Sequence, residues 1–446
     1  MIQWIRTDIF TETVAHDKKK MRFLIFIFCL FGALSNSAQS ILFLGGTAHI
    51  GDGSKIETSA IAIKDGKFEM VADARVIRID PAAYDTIIHI YNQHVYPGFI
   101  ATNTTLGITE IGAVRATNDY QETGAFKPHI RSLIAFNAES KIIPTIRSNG
   151  VLIAQVAPKG GRITGTSSVM KLDGWNWEDA AQKVDDGIHI NWPYYFIQRG
   201  WWAEPGDIEK TERYSEQTDA IEFYFQKALS YHQSDEKKID LELSAMSGLF
   251  DGSKQLYVHA NLVREMTDAI LFAAKYELNN MVIVGGKEAH LITDLLVKHE
   301  IPVILDRIHR LPNTSDTDVD MPYKQAGLLY SAGVSIGFCY QGDMEAMGQR
   351  NLPFSAGTAV AYGLPYEEAI AALTLNTAKM LGIDKKIGSL ELGKEATFFI
   401  SKGDALDMRG NNLQFAFIQG KAVDLDNHQK ALDRKYRKKF GLEIKQ

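Results

Sequence analysis

The sequence is poor in cysteine, and it lacks both a surplus of basic charge and a long apolar run. Only Cys29 and Cys339 occur among its 446 residues. Cys29 falls in an N-terminal segment that we expect to be removed, so the mature chain keeps one thiol and forms no internal disulfide. The net charge of −6 provides no basic face for nucleic acid. These absences exclude a disulfide-held small domain and a nucleic-acid-binding protein.

Residues 1–38 have the order of a signal peptide. Lys18–Arg22 are basic, Phe23–Leu34 are apolar, and small polar residues follow. The apolar run is too short to span a bilayer comfortably, and an uncleaved membrane anchor is the alternative. Because a better-formed signal starts at Met21, we expect translation to begin there. The segment predicts export to a bacterial periplasm or beyond, with no stable membrane span after cleavage.

The rest of the chain predicts one α/β body between two β-rich ends. Short β-rich runs with turn signals fill residues 39–95 and return at 381–427, which favours one composite β-sandwich built from both ends. Within the first run, Lys64-Asp65-Gly66-Lys67 is a strong hairpin signal. Residues 96–380 alternate short apolar runs with amphipathic stretches, the pattern of a parallel sheet or barrel. A charged helical insertion is expected at 207–250.

The C-terminal residues 428–446 are basic and amphipathic, which predicts a helix. A solvated surface helix explains this pattern, and a binding role is the alternative.

Three stretches carry a family resemblance: VYPGFIATNTTLG, YGLPYEEAIAALTLNTAKMLGID and IGSLELGKEATFFI. With them the chain resembles the amidohydrolase superfamily, in particular its imidazolonepropionase-like and prolidase-like secreted branch. The resemblance implies a distorted (β/α)8 TIM-like barrel with its site at the carboxyl ends of the strands. It also implies hydrolysis of amide or cyclic amide bonds with a divalent metal, zinc first.

In that family the first barrel strand ends in a His-x-His pair, and here Asn103 and Thr105 stand in those places. An amide and a hydroxyl are weak zinc ligands, so the first metal position is eroded. His259, in LYVHAN, keeps the place of a metal ligand. Asp343 follows Gln341, which holds the place aligned with the family's catalytic base. The resemblance therefore implies His259 as metal ligand and Asp343 as general base.

Each of these residues also has a structural interpretation. His259 can be a satisfied core histidine, and Asp343 can cap the helix that follows it. Asn103 and Thr105 can bind substrate or can satisfy one another. Lys171 could carry a bridging carbamate. Three further candidates for substrate binding lie on loops at the presumed active face, where surface ion pairing is the alternative: Glu110, Arg115 and His309.

Tryptophan is concentrated in one segment, with Trp175, Trp177, Trp192, Trp201 and Trp202 close together in the sequence. These rings could cap the barrel mouth and offer flat faces to a ligand. A packed core beneath the insertion is the other interpretation.

Two functional hypotheses follow. The first is an exported hydrolase of carbon–nitrogen bonds with a reduced, single-metal site. The second is a catalytically silent relative without a metal, which binds a small molecule or serves as a partner of an active paralogous subunit. A homo-oligomer is compatible with both.

Overall fold

A computed structural model describes residues 40–443, apart from residues 202, 236–237, 313, 315 and 343. The predicted signal segment 1–38 and the predicted base Asp343 therefore lie outside the described residues. Within the described ranges, no helix combines the length and the apolar character needed to cross a bilayer.

The strands precede, form and follow a central barrel. They are β1 Ile41–Leu44, β2 Thr47–His49, β3 Lys55–Ile56, β4 Ser59–Lys64, β5 Lys67–Asp73, β6 Thr86–His89, β7 His94–Pro97, β8 Phe99–Thr104, β9 Val151–Val156, β10 Ile163–Lys171, β11 Ala181–Asn191, β12 Phe196–Trp201, β13 Glu204–Lys210, β14 Gln255–Ala260, β15 Met281–Gly285, β16 Val303–Leu305, β17 Ile336–Phe338, β18 Phe398–Ser401, β19 Leu413–Ile418 and β20 Lys421–Ala422.

The α-helices lie mainly between and after the barrel strands. They are α1 Ser132–Ala135, α2 Ile143–Arg147, α3 Trp177–Ala180, α4 Tyr214–Gln233, α5 Leu241–Phe250, α6 Val263–Lys275, α7 Thr293–Lys298, α8 Met321–Ser331, α9 Glu345–Gly348, α10 Leu352–Ala361, α11 Tyr366–Leu373, α12 Leu375–Met380 and α13 His428–Lys439.

The body of the protein is an eight-stranded sheet that curves into a nearly closed barrel. Its strand order is β8-β9-β10-β11-β14-β15-β16-β17, and a bridge between Thr102 and Cys339 brings the two edges together. There the Thr102 hydroxyl donates a hydrogen bond to the carbonyl oxygen of Phe338 at 3.1 Å. The fully buried run VLIAQV of β9 is typical of a strand that is covered on both faces. The predicted α/β class and TIM-like barrel are confirmed.

Strand β10 departs from the parallel arrangement, because it pairs antiparallel with both β9 and β11. Residues 157–162 alone connect β9 to β10, and so short a segment cannot hold the crossover that a parallel neighbour requires. The carboxyl end of β10 consequently lies at the opposite end of the barrel from the mouth. There the ammonium of Lys171 donates to Gln419 Oε1 at 3.0 Å. The suggested Lys171 carbamate at the active face is therefore wrong.

Strands from both ends of the chain share one six-stranded sheet, in the order β20-β19-β18-β7-β2-β3. A separate four-stranded sheet has the order β5-β4-β1-β6 and takes all its strands from residues 41–89. The rings of Phe43, Phe398 and Phe417 meet with centroids 4.9 to 5.5 Å apart, so apolar contact joins β1 to β18 and β19. Both ends of the chain therefore contribute strands to one sheet, and the composite β-sandwich itself stays a prediction.

The predicted hairpin between β4 and β5 is confirmed. Lys64 pairs with Lys67, and Asp65 and Gly66 both have positive φ, at 51° and 77°. Two consecutive left-handed residues are the signature of the turn that matches the twist of the flanking strands.

The insertion at 207–250 is only partly helical. Residues 207–210 belong to β13, which forms a separate two-stranded hairpin with β12, and α4 and α5 follow. Pro205 and Gly206, in the first half of β13, are residues that disfavour a helix. The C-terminal helix α13 starts after Asn427, whose side-chain oxygen caps it by accepting from the Lys430 N–H.

Candidate functional site

Asn103 occupies the end of the first barrel strand in an unusual backbone conformation. Its φ is 49°, a left-handed value that asparagine tolerates better than most residues. Its N–H donates to Gln155 Oε1 at 3.1 Å. Its carbonyl oxygen and its side-chain Oδ1 both accept hydrogen bonds from Lys159 Nζ at 3.0 Å. Asn103 is fully buried, so these contacts lie inside the barrel mouth.

Lys159 extends from the loop after β9 and reaches two other elements. Besides Asn103, its Nζ lies 3.6 Å from Glu345 Oε1 in α9. The same carboxylate oxygen accepts the Thr105 N–H at 2.9 Å. The ammonium thus connects the end of β8, the loop after β9 and the start of α9.

His189 and His259 form the other polar pair of the mouth. They end neighbouring strands, β11 and β14, and His189 Nδ1 lies 3.0 Å from His259 Nε2. Burial, reinforced by the charge of Lys159, lowers the pKa of His259 to about 3. Burial, followed by His259 and Lys159, also lowers the pKa of His189 well below its ordinary value. Both rings are therefore neutral near pH 7, and the N–H of one ring donates a hydrogen bond to the bare nitrogen of the other.

A buried polar network lies beneath this layer, centred on Asp186. The carboxylate accepts hydrogen bonds from the Ser167 hydroxyl at 2.7 Å, from the Tyr257 hydroxyl at 2.7 Å and from Gln155 Nε2 at 2.8 Å. Burial raises the pKa of Asp186, and the donated hydrogen bonds oppose that rise. Because Gln155 also contacts Asn103, a continuous hydrogen-bonded path runs from Asp186 to the barrel mouth.

A cavity of 760 Å³ opens directly beside Lys159 and Glu345. Its wall is mainly apolar, and the side chains that shape it include Thr105, Thr109, Glu110, Ile111, Tyr120, Ile142, Met344 and Met347. The Thr109 hydroxyl is buried and has no hydrogen-bond partner among the described residues. An unsatisfied buried hydroxyl on a residue that lines a cavity is the kind of group that a ligand or a water satisfies.

The residues of the mouth do not fit the divalent metal that the resemblance implies. In the part of the chain that the structure describes, no group of three or more His, Cys, Asp or Glu side chains is arranged to hold an ion. The oxygens of Asn103 already bind an ammonium, and His259 Nε2 already contacts a second imidazole. A fixed positive charge in this position repels a dication.

The structure separates the predicted site residues. Thr105 and Glu110 line the cavity, and Glu110 Oε1 accepts from Asn137 Nδ2 at 3.0 Å. Arg115 is exposed and donates only a long bond of 3.4 Å to the Asn118 carbonyl oxygen. His309 binds the Thr358 hydroxyl at 2.8 Å in a different groove of 400 Å³. Arg115 and His309 are thus not brought to the cavity.

Sequence reasoning missed the residues that organise the mouth: Lys159, Glu345, His189 and Gln155. One signal was available for Lys159, because it is a charged residue close behind the buried strand β9, at a barrel end where functional side chains concentrate.

The aromatic segment is buried in one part and exposed in another, so the core interpretation holds for Trp192 and the ligand-binding interpretation stays a prediction. Trp192 is buried, and its indole N–H donates to the Tyr214 hydroxyl at 3.1 Å. Tyr194 and Phe196 are exposed and line a groove of 780 Å³ beside the start of α6. Trp175 is 92% exposed, and Trp202 lies outside the described residues.

Comparisons with known proteins agree with this architecture. Residues 322–423 match the model of the amidohydrolase family. Amidohydrolase tasK of Hapsidospora irregularis is 22% identical over 187 residues, which are 41% of this chain and 19% of that protein. Imidazolonepropionase of Shewanella oneidensis is 60% identical over 37 residues, which are 8% of this chain and 9% of that protein. The matches span less than a fifth of either curated relative.

Two solved structures share the fold over most of the chain. An amidohydrolase from Thermotoga maritima superposes with a TM-score of 0.74 at 23% identity, covering 86% of this chain and 99% of that one. A Xaa-Pro dipeptidase crystallised with methionine in its active site gives a TM-score of 0.54 at 16% identity, covering 86% and 100%. The predicted resemblance to the amidohydrolase family is confirmed.

Proposed function

We propose that this amidohydrolase-like chain binds a small, largely apolar amide or amine in the cavity at the barrel mouth, without metal-dependent hydrolysis. The contact of Lys159 Nζ with both oxygens of Asn103 carries the proposal. It places a fixed cation among the groups that would otherwise be free to bind a metal. The cavity beside Lys159 is then the part of the barrel mouth that can bind a ligand.

The chemistry of the cavity wall favours this class of ligand. Ile111, Met344 and Met347 offer apolar surface, and methionine adapts to ligands of irregular shape. The Thr109 hydroxyl can donate to a carbonyl oxygen or accept from an N–H. Glu110 and Glu345 add two carboxylates against the single ammonium of Lys159, a balance that favours N–H donors over anions.

Several polar groups of the mouth contact each other, which supports a structural role for them beside a binding cavity, while Asn103 Nδ2 and His189 Nε2 are buried without a partner among the described residues. Lys159 is held by Asn103 and Glu345, and His189 is held by His259. With a pKa of about 3, His259 is too weak a base to take a proton efficiently at neutral pH. The function of this layer would be to fix the floor of the cavity.

The second candidate is a hydrolase with a reduced metal site. His259 ends β14 at the mouth, and a neutral imidazole is the form that binds metal. Asp343 would serve as base, at a position outside the described residues. The dipeptidase fold of one structural neighbour gives small dipeptides as the substrates to try first.

One binding experiment separates these candidates. Purified mature protein would be titrated with small amides, amines and dipeptides, with affinity measured by calorimetry and product release by chromatography. We expect saturable binding without turnover, weakened by Glu110→Gln and unchanged by Glu139→Gln, an exposed control outside the cavity wall. Hydrolysis that requires added zinc or manganese would overturn the proposal in favour of the second candidate.

We also propose that the chain is exported and acts as an oligomer, with copies of itself or with an active homologue. The signal-like residues 1–38 support the first part. Fractionation of the native host and light scattering of the purified protein would test the two parts separately. A cytoplasmic product still carrying Trp4 would contradict export.

A further inference from the structure

We propose that the ammonium of Lys159 is an internal cation around which the barrel mouth is assembled, and that its removal leaves a binding site for a small alkylammonium ion. Three oxygen atoms from two different elements converge on Nζ. They are the carbonyl oxygen and Oδ1 of Asn103, each at 3.0 Å, and Oε1 of Glu345 at 3.6 Å. This inference does not depend on what the cavity binds.

The conformation of Asn103 is what aims two oxygens of one residue at the same point. Its backbone is left-handed, with φ at 49°, and Lys159 Nζ binds both its carbonyl oxygen and its Oδ1 at 3.0 Å. Asn103 is fully buried, so these oxygens could not turn to bulk solvent if the cation were absent. A buried acceptor without a donor lowers the stability of the folded state, and the loss is larger when a carboxylate such as Glu345 also loses its counter-charge.

The charge of Lys159 acts across the whole mouth. It contributes to the lowered pKa values of His189 and His259, after burial. Burial raises the pKa of the Cys339 thiol, and the charge of Lys159 opposes that rise. His189 lies in β11, His259 lies in β14, and Cys339 directly follows β17. The charge of Lys159 therefore changes the pKa of groups on three different strands of the barrel.

The site that Lys159 fills is suited to an ammonium. Its oxygens are amide, carbonyl and carboxylate oxygens, which accept N–H hydrogen bonds. The side chain of Lys159 is only 23% exposed, so an occupant must be narrow. Truncation of Lys159 to alanine removes three methylene groups and the ammonium, and n-propylammonium reproduces that fragment.

The test is chemical rescue of stability. Lys159→Ala is expected to lower Tm, and n-propylammonium chloride is expected to restore most of the loss in a saturable way at constant ionic strength. Tetramethylammonium, which has no N–H, should not restore it. Lys159→Met, which keeps the bulk without the charge, should lose stability and gain nothing from n-propylammonium. Lys171→Ala is the matched control, because Lys171 contacts Gln419 at the other end of the barrel.

A wild-type measurement keeps the inference testable if Lys159→Ala does not fold. Reductive methylation followed by peptide mass spectrometry should modify Lys159 at least about tenfold more slowly than the half-exposed Lys55, because the partly buried ammonium of Lys159 must first be released from its charge-assisted hydrogen bonds. Equal methylation rates would overturn the inference. So would an unchanged Tm in Lys159→Ala, or an equal response of all variants to n-propylammonium.

Discussion

The imidazoles of His189 and His259 contact each other directly, with Nδ1 and Nε2 3.0 Å apart at the ends of adjacent parallel strands. This contact satisfies one nitrogen of each ring, while His189 Nε2 is buried without a partner among the described residues. The contact has consequences for stability at low pH, because both rings are buried and burial disfavours the protonated form of each.

Stability should fall with acidification in a way that depends on these two histidines. The pKa of His259 lies near 3 in the folded state and ordinarily near 6.5, so the unfolded chain binds the proton more readily. Stability is therefore fully present above pH 6.5 and is lost as the pH falls, by up to about 1.4 kcal/mol per pH unit for each such histidine. Tm measured from pH 7.5 to 4.5 should show a shallower decline in His259→Gln. The exposed-site variant His428→Gln should retain the wild-type slope; identical slopes in all three proteins would contradict the prediction.

The hydroxyl of Tyr257 should be important for stability. Tyr257→Phe removes one of the donors to the buried carboxylate of Asp186, and an under-satisfied buried group costs about 1–3 kcal/mol. Urea denaturation would measure the change, provided that the slope with urea concentration stays constant. Tyr276→Phe is the control, because its hydroxyl binds Glu222 at a partly exposed site. A loss for Tyr257→Phe no larger than the control's would contradict the role of the network.

Thr109→Val should separate ligand binding from stability. Its hydroxyl has no hydrogen-bond partner among the described residues, so replacing it with a methyl group should leave Tm unchanged or slightly raised. Ligand affinity should fall about threefold to tenfold, corresponding to a hydrogen bond of ~1 kcal/mol. Calorimetry on the same preparations would measure both. A lower Tm with unchanged affinity would show that the hydroxyl supports the fold rather than a ligand.

Metal removal should have no effect on the stability of the mature protein. A ligand that binds only the folded state raises its stability, so a resident metal would make Tm fall on chelation. With Lys159 among the mouth residues, we expect equal Tm values in EDTA and in added zinc, and sub-stoichiometric metal by plasma mass spectrometry. A chelator-sensitive Tm that becomes insensitive in His259→Ala would instead indicate a metal held by that residue.

The fold was largely predictable, because it depends on patterns that are local in the sequence. Buried strand runs, amphipathic helices and the Asp65-Gly66 turn each indicate an element without knowledge of its neighbours. The reversed direction of β10 was harder to predict, since its only signal is the short connection at 157–162.

The site was less predictable, because its contacts join residues that are distant in the sequence. Asn103 and Thr105 could be read directly as the residues that stand where the family resemblance implies a histidine pair. The contacts of Lys159 could not be read, since they join it to Asn103, 56 residues earlier in the chain, and to Glu345, 186 residues later. Arg115 and His309 show the converse: loop positions indicate a face of the barrel and do not determine which groove a side chain enters.

The shared six-stranded sheet also constrains how the chain is made. Strand β7 ends at Pro97 and its partner β18 begins at Phe398, so roughly 300 residues must leave the ribosome between them, which takes about 15–60 s at ~5–20 residues per second. Throughout that interval the backbone N–H and C=O groups on the edge of β7 that pairs with β18 have no strand partner, because β18 has not yet been synthesised. Translation itself therefore sets the earliest moment at which this half of the molecule can close.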